Sequence, residues 1–307
     1  MMKNKITIIG AGFVGSTAAY SLIAGKIAGE IVLIDKNEKL AKSQAMDLQH
    51  SVPFWGYTKV KAGTYEDIKD SKIAIICCGV SQKKGETRMD LIKENWDIVK
   101  NVASNIFKQN KDIIILMVTN PVDVLTYLTV KMFPEKKDKI IGTGTILDSA
   151  RFRFLLGEEL KINPQSAHAY IIGEHGDSEV PLWSTATVGN THIDKFKKLS
   201  PHVKEKISDK AKNAAYAIIE GKQATYFAIS GGIAQISETI LFDKKRVLPL
   251  SHYFNGEYGI RDICLSSPVV LGKDGIEAKI EIDISKKEKN LLKISADKIR
   301  EAANNLR

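Results

Sequence analysis

The sequence predicts an α/β fold: an N-terminal doubly wound parallel sheet followed by a C-terminal α+β domain. Three observations predict it. Short apolar runs alternate with helical patterns from residue 5 to about 142. A G-x-G-x-x-G turn, Gly10, Gly12 and Gly15, sits between a strand-like run and a helix-like one. After residue 142 the alternation gives way to a mixed order of helices and strands. The expected domains are therefore 1–142 and 143–307. Regular strand–helix alternation implies a parallel sheet with helices on both faces, right-handed crossovers, and ligands at the carboxyl ends of the strands.

The first strand is expected over 5–10, where Lys5-Ile6-Thr7-Ile8-Ile9-Gly10 is an apolar run suited to a buried parallel strand. The glycines follow, then a helix over 13–26. A second strand, 30–35, ends in Asp35, twenty residues after Gly15. Strand, glycine turn, helix, strand and terminal acid make a dinucleotide-binding (Rossmann) unit. Gly10 allows the tight turn, Gly12 lets backbone approach a pyrophosphate at the helix N-terminus, and Gly15 lets the helix lie close to the strand. Asp35 would hold a ribose diol and repel a 2′-phosphate, which favours NAD over NADP.

Further strands are expected over 58–62, 72–78, 112–118 and 139–142, with helices near 38–49, 89–109 and 122–132. The strand ending at Cys78 leads into a polar stretch from Gly79 to Arg88, read with its flank, 79–90, as a mobile lid. Asn120-Pro121 follows the strand ending at Thr119, near the nicotinamide half of a bound cofactor. The second half should hold a helix near 146–160, strand-like 168–172 and 185–189, and helices near 203–220 and 224–240. Strand-like runs at 247–253, 261–265, 268–271 and 277–283, and a polar helix over 286–306, complete it.

A chain of 307 residues has room for two domains and a large core, and 44% apolar with 26% charged residues is ordinary for a globular protein. The formal net charge is +9, but the lysines are dispersed rather than clustered among aromatics. That argues against nucleic acid, while the positive field would still attract anionic substrates. No apolar run approaches the ~20 residues that cross a bilayer. Cys77, Cys78 and Cys264 form neither a disulfide framework nor a spaced metal cluster, so no metal is expected and a reducing cytoplasm fits.

His175 lies in Gly173-Glu174-His175-Gly176-Asp177, just past an apolar strand, where imidazole can project into a cleft and carry protons. Asp148 and Arg151 are three apart near a helix start and so share a face. Arg151 offers a fork that matches a carboxylate, and the helix dipole favours an ionised Asp148. Arg153 is two residues beyond Arg151 and points to nearly the opposite face. Taken singly, each has a structural reading: a satisfied histidine, a surface ion pair.

Taken together and in order, these segments resemble the L-lactate dehydrogenase branch of the lactate/malate dehydrogenase family, over essentially the full chain. The matching segments are Gly10 to Gly15 with Asp35, the lid Ser81 to Arg88, Thr119-Asn120-Pro121-Val122, Leu147 to Arg151, and Gly173 to Pro181. The resemblance implies hydride transfer between NADH and pyruvate to give (S)-lactate, the last step of lactic fermentation. Protonated His175 would give its proton to the carbonyl oxygen, Asp148 would orient and charge the imidazole, and Arg151 would bind the carboxylate. Arg88 would arrive with lid closure and polarise the carbonyl. Asn120 would hydrogen-bond near the reacting oxygen and the nicotinamide ribose, and Thr225 would line the substrate pocket. The cofactor would lie against Gly10, Gly12, Phe13, Val14, Gly15, Asp35, Gly79 and Asn120.

Gln82 stands where malate dehydrogenases typically carry arginine, so the second carboxylate of oxaloacetate would be buried unpaired and pyruvate is the expected substrate. Lys84 departs from the proline of many relatives and adds positive charge to the lid. The alternatives are malate or bulkier 2-hydroxy acids, and, in another class, a catalytically silent NAD-binding regulator, which has no need of a proton donor beside an anion clamp. Arg153 and His168 match the positions that bind fructose 1,6-bisphosphate in allosteric bacterial relatives. That implies a homotetramer activated by this ligand. His168 is expected at the start of a strand running toward His175, roughly 20 Å away at the usual rise per residue.

Overall fold

A computed structural model describes residues 4–80 and 88–306, with backbone only at Arg88 and Asp90. Gln82 and the rest of 81–87 lie outside the described residues.

The N-terminal half runs β1 (Lys5–Ile9), α1 (Phe13–Ala24), β2 (Glu30–Ile34), α2 (Glu38–Ser51), β3 (Lys59–Ala62), β4 (Ile73–Ile76), α3 (Arg88–Gln109), β5 (Ile114–Met117), α4 (Val122–Met132) and β6 (Ile140–Gly142). These strands pair in parallel in the order β3-β2-β1-β4-β5-β6. The order reverses between β1 and β4, which opens a crevice at the carboxyl edge. Strand β1 stops at Ile9 because Gly10 takes φ +103° to turn the chain.

The C-terminal half continues with α5 (Ile146–Leu160), β7 (Ala167–His168), β8 (Ile171–Ile172), β9 (Val180–Pro181), β10 (Thr187–Val188), β11 (Thr191–His192) and α6 (Ile193–Phe196). It ends with α7 (Pro201–Lys222), α8 (Phe227–Leu241), β12 (Arg246–Asn255), β13 (Arg261–Gly272), β14 (Gly275–Lys279) and α9 (Lys286–Asn304). Strand β12 pairs antiparallel with β6 through Ser251 and Gly142, so β12, β13 and β14 extend the first sheet to nine strands. One sheet therefore crosses the position where the chain's alternation changes.

Both sheet faces are covered. One core joins α1 and α2 to α8 across β1, β2 and β12, through Leu22, Ile23, Ile233 and Ile236. The other joins α3 and α4 to α9 through Val99, Ile106, Leu125 and Leu292. A third, around Phe152 and Leu156, packs α5 against α7 and the short strands. Among the described residues no helix is long and apolar enough to cross a membrane.

Several expected boundaries are corrected. The run 168–172 is not one strand: pairing breaks at Ala169-Tyr170, and β7 and β8 belong to different sheets. The runs 261–265 and 268–271 are one strand, since Pro268 lies opposite Pro249 and the ladder continues past the missing donors. The last strand is 275–279 rather than 277–283, because the tight turn at Gly272–Gly275 starts it early.

Candidate active site

The glycine turn follows from close packing. A Cβ on Gly10 would stand 2.6 Å from the Cys78 nitrogen, and one on Gly15 would stand 1.9 Å from the Gly10 carbonyl oxygen. Only hydrogen at both positions lets β1, β4 and α1 converge there. Gly12 faces open space, with no described heavy atom within 4 Å of the position its Cβ would take. It caps α1 without a side-chain hydrogen bond, and the first turn carries no acid. The amide groups at that end are left for an outside acceptor, which is what a pyrophosphate requires. Phe13 is exposed and Val14 half-buried against the core.

Asp35, just past β2, accepts from the Ala11 amide with Oδ2 and from the Asn37 amide with Oδ1, each at 2.8 Å. It holds the glycine turn to the end of β2, and each oxygen keeps a second lone pair for a ribose diol. Open Gly12, free amides and this carboxylate together fit a dinucleotide.

The carboxyl edge continues toward His175. Thr119 Oγ1 donates to the Cys78 carbonyl at 2.6 Å, which joins the exits of β4 and β5. Asn95, on α3 and 1% exposed, accepts from the Val80 amide at 2.8 Å and donates to the Asn120 carbonyl at 2.9 Å. It thus fastens the base of the expected lid, beside Gly79, to the Asn120 turn. Asn120 and His175 line one cavity of 270 Å³.

The catalytic candidates are brought together by polar groups that satisfy one another. The Ile171 amide donates to Ser149 Oγ at 2.9 Å, and the Ile171 carbonyl accepts from Thr145 Oγ1 at 2.5 Å. These bonds lock the start of α5 against β8, so Asp148 and His175, 27 positions apart, meet. Gly173 then pairs with Ser266 of β13, and the Glu174 amide donates to Ser295 of α9 at 2.7 Å. The His175 amide donates to Asp123 Oδ2 of α4 at 2.7 Å. Three elements hold the histidine's backbone before its ring makes any contact.

Asp148, 2% exposed, accepts from Arg151 NH1 with Oδ1 at 3.1 Å and holds His175 Nδ1 with Oδ2 at 2.5 Å. With Nδ1 committed, Nε2 is the ring nitrogen left to exchange a proton with a ligand. Burial works against a charged imidazole, although a quarter of the side chain reaches solvent. The charge and hydrogen bond of Asp148, helped by Asp123 and Glu179, outweigh burial and raise His175 to about 9. The neighbouring acids respond in turn. Burial raises Asp123 to about 6. Burial and then Asp148 hold Glu179 well above the ordinary carboxylate range, against His175, Arg151 and Lys212.

Arg151 and His175 line different cavities, and among the described residues Asp148 links them. Thr225 lies in the α7–α8 turn, half-buried. Gln82 and the Arg88 side chain lie outside the described residues. His168 is exposed on β7. Arg153 is half-buried beside Tyr170; burial pulls its guanidinium below the ordinary value and Tyr170 opposes it.

Sequence reasoning missed Asn95, Asp123 and Glu179. Asn95 carried a signal: it sits on the apolar register of its helix, three after Ile92 and four before Val99. A polar residue there must either be satisfied or cost stability. Asp123 carried a weaker one, an acid in the first turn after Asn120-Pro121.

The chain matches the lactate/malate dehydrogenase NAD binding domain over residues 4–142 and the lactate/malate dehydrogenase alpha/beta C-terminal domain over residues 145–306. It is 44% identical to the L-lactate dehydrogenase of Acetivibrio thermocellus over 303 residues, covering 97% of this chain and 96% of that protein. It is 45% identical to L-lactate dehydrogenase 1 of Peribacillus psychrosaccharolyticus, covering 97% and 95%. Its backbone superposes on the ligand-bound crystal structure of the minor L-lactate dehydrogenase from Enterococcus mundtii with a TM-score of 0.96 at 38% identity, covering 100% and 99% of the two chains.

Proposed function

Since the chain belongs to the lactate/malate dehydrogenase family, we propose that it is an NAD-dependent L-lactate dehydrogenase that interconverts pyruvate and (S)-lactate. The observation that carries this is the linked set Arg151–Asp148–His175 at the carboxyl edge that also bears the glycine turn. An anion clamp, a buried carboxylate and a protonated imidazole in one hydrogen-bonded chain suit reduction of a carbonyl next to a carboxylate.

When bound, NADH would supply the hydride for reduction of the carbonyl carbon. Gly10, Gly12, Gly15, the free α1 amides and Asp35 would hold the cofactor, with Gly79 and Asn120 beside it. Arg151 binds the substrate carboxylate through its planar fork. Asp148 fixes the imidazole and keeps it charged, so that His175 Nε2 delivers a proton to the carbonyl oxygen as the alcohol forms. In the reverse direction the neutral ring takes that proton back. Arg88 polarises the carbonyl and Gln82 leaves no counter-charge for a second carboxylate, both on the strength of the lid sequence. Thr225 closes the pocket wall.

The test is NADH oxidation with pyruvate, oxaloacetate and 2-oxoisocaproate side by side. Pyruvate should give the highest kcat/KM; faster oxaloacetate reduction would make the chain a malate dehydrogenase, and faster 2-oxoisocaproate reduction a dehydrogenase of bulkier acids.

The same reading extends to control. Arg153 and His168 are proposed as one subunit's share of a fructose 1,6-bisphosphate site across a two-fold axis, in a homotetramer. Facing cations repel until an anion bridges them, so the ligand favours the active assembly. Exposure of His168 supports this, since a site shared between subunits must lie at the surface. The three unpaired cysteines suit a cytoplasmic enzyme. Pyruvate saturation curves at pH 6 to 7 and low enzyme concentration should shift to lower KM with the sugar bisphosphate; superimposed curves would refute activation and leave the catalytic reading intact.

A further inference from the structure

Phe13, directly after Gly12 in the glycine turn, stacks on Tyr226 with ring centroids 5.4 Å apart and planes 21° from parallel. Tyr226 directly follows Thr225 and precedes α8. The two rings therefore join the turn proposed to hold the pyrophosphate to the residue proposed to wall the substrate. At the other end of the α7–α8 connection, the Lys222 ammonium lies 3.3 Å from the Tyr226 ring centroid and 4.1 Å from that of Phe227. Gln223 turns the chain there with φ +69°. Thr225 is thus carried on a short connection fixed at both ends by contacts to one aromatic ring. No side-chain hydrogen bond to the described residues holds Thr225 itself.

The stack contributes little to core packing. Helices α1 and α8 are already joined by Leu22, Ile23, Ile233 and Ile236. Phe13 remains 66% exposed. A ring pair at the wet end of a well-buried helix pair fixes geometry more than it buries area.

We propose that Tyr226 is a positioning residue: stacked on Phe13, it transmits occupancy of the glycine turn to Thr225 and so couples cofactor binding to substrate binding. The proposal rests on the dehydrogenase reading above. A cofactor seated against the α1 amides fixes Phe13 at the first residue of that helix, Phe13 fixes the Tyr226 ring, and Thr225 is placed before substrate arrives. Part of the ordering cost of the substrate pocket is then met by the first ligand, which is positive coupling between two sites.

The experiment measures binding of oxamate, a non-reducible isostere of pyruvate, with and without saturating NADH, together with steady-state kinetics and thermal unfolding. In the wild type NADH should tighten oxamate binding. Tyr226→Ala should lose roughly five- to tenfold of that tightening, the worth of one aromatic pair. Phe13→Ala should lose a similar share. Tyr226→Phe, which keeps the stacking ring, should stay within about twofold of wild type. In Tyr226→Ala the KM for pyruvate should rise by more than kcat falls. If Tyr226→Ala unfolds earlier but keeps the full tightening, the stack is only an anchor for α8 and the proposal is wrong. If the wild type reduces pyruvate with NADH but shows no tightening, this inference is wrong and the dehydrogenase reading stands; if it reduces no 2-oxo acid, the dehydrogenase reading falls and this inference with it.

Discussion

The two halves of the crevice are built from different materials. The cofactor side is mostly backbone: Gly10, Gly12 and Gly15 remove side chains so that strands and helix converge, and the α1 amides stand uncapped. Its acid, Asp35, is held by two backbone amides. The substrate side is mostly side chains, and they come from α4, α5 and the segment after β8. There three buried or half-buried acids, Asp123, Asp148 and Glu179, surround one histidine and together favour its charged form. Backbone sites bind by shape and dipole and tolerate changes of pH. A side-chain cluster of this kind can move protons, and the catalytic role proposed for it is tied to protonation.

The sharpest way to separate the two sides is to remove the proposed proton donor. His175→Asn should cut kcat by roughly 10²–10⁴-fold while NADH binding, followed by fluorescence, stays near wild type. Loss of both together would mean that the sides are not independent. Asp148→Asn tests the electrostatics. Wild-type pyruvate reduction should fall as pH rises through about 9, where His175 loses its proton. The same raised value makes a stability contribution that is complete below the imidazole's ordinary 6.5 and disappears through about 9. Without Asp148 the burial penalty is less opposed, so the alkaline limb of the rate profile should move down by about two units or more. An unmoved limb would show that some other group sets it.

This difference in materials also decided what could be read in advance. The glycine turn, Asp35 and the alternation of elements are local patterns, so the fold was legible from residues 5 to 142. The Asp148–Arg151 pair was legible as well, because three residues along a helix is one face. The meeting of Asp148 with His175 was not legible from spacing and came only through family resemblance. It depends on Ser149 and Thr145 satisfying the polar groups of Ile171, a contact between distant segments. Asp123 and Glu179 were hidden for the same reason. The joining of β12 to β6 rests on pairing at Ser251 and Gly142, which no periodicity announces.

A smaller effect is expected on the cofactor side. Asp35→Ser should narrow the preference for NADH over NADPH by roughly tenfold or more, the worth of charged hydrogen bonds to a diol, with the pyruvate pH profile unchanged. Equal kcat/KM with both cofactors in the wild type would remove Asp35 from that role. A changed pH profile in the variant would mean that the backbone side reaches into the titrating cluster.

The smallest effect separates holding a histidine from charging it. Asp123 is 2% exposed; its Oδ2 accepts from the His175 amide, and no well-formed hydrogen bond from the described residues reaches its Oδ1, although the nearby Ser251 hydroxyl favours the ionised form. Burial raises it from 3.8 to about 6, so its ionised form is disfavoured in the folded chain. The sign follows: stability is greatest below the unfolded value of 3.8 and declines as pH rises to about 6, above which the folded protein carries the full penalty. In Asp123→Asn the amide oxygen can still accept from the His175 amide, and the buried charge is gone. The variant should therefore be more stable than wild type at pH 7, by about 1–2 kcal/mol after allowance for lost attraction to His175. That advantage should be largely lost near pH 4, where the folded carboxyl is neutral, and gone below the unfolded value of 3.8. Its alkaline limb should fall by less than in Asp148→Asn, because Asp123 holds the backbone of His175 and touches its ring charge only at a distance. Thermal unfolding at pH 4 and pH 7 measures the first effect, and the reduction profile measures the second. If Asp123→Asn is less stable at both pH values, the carboxylate is satisfied by something other than the groups described here, and burial does not set its protonation.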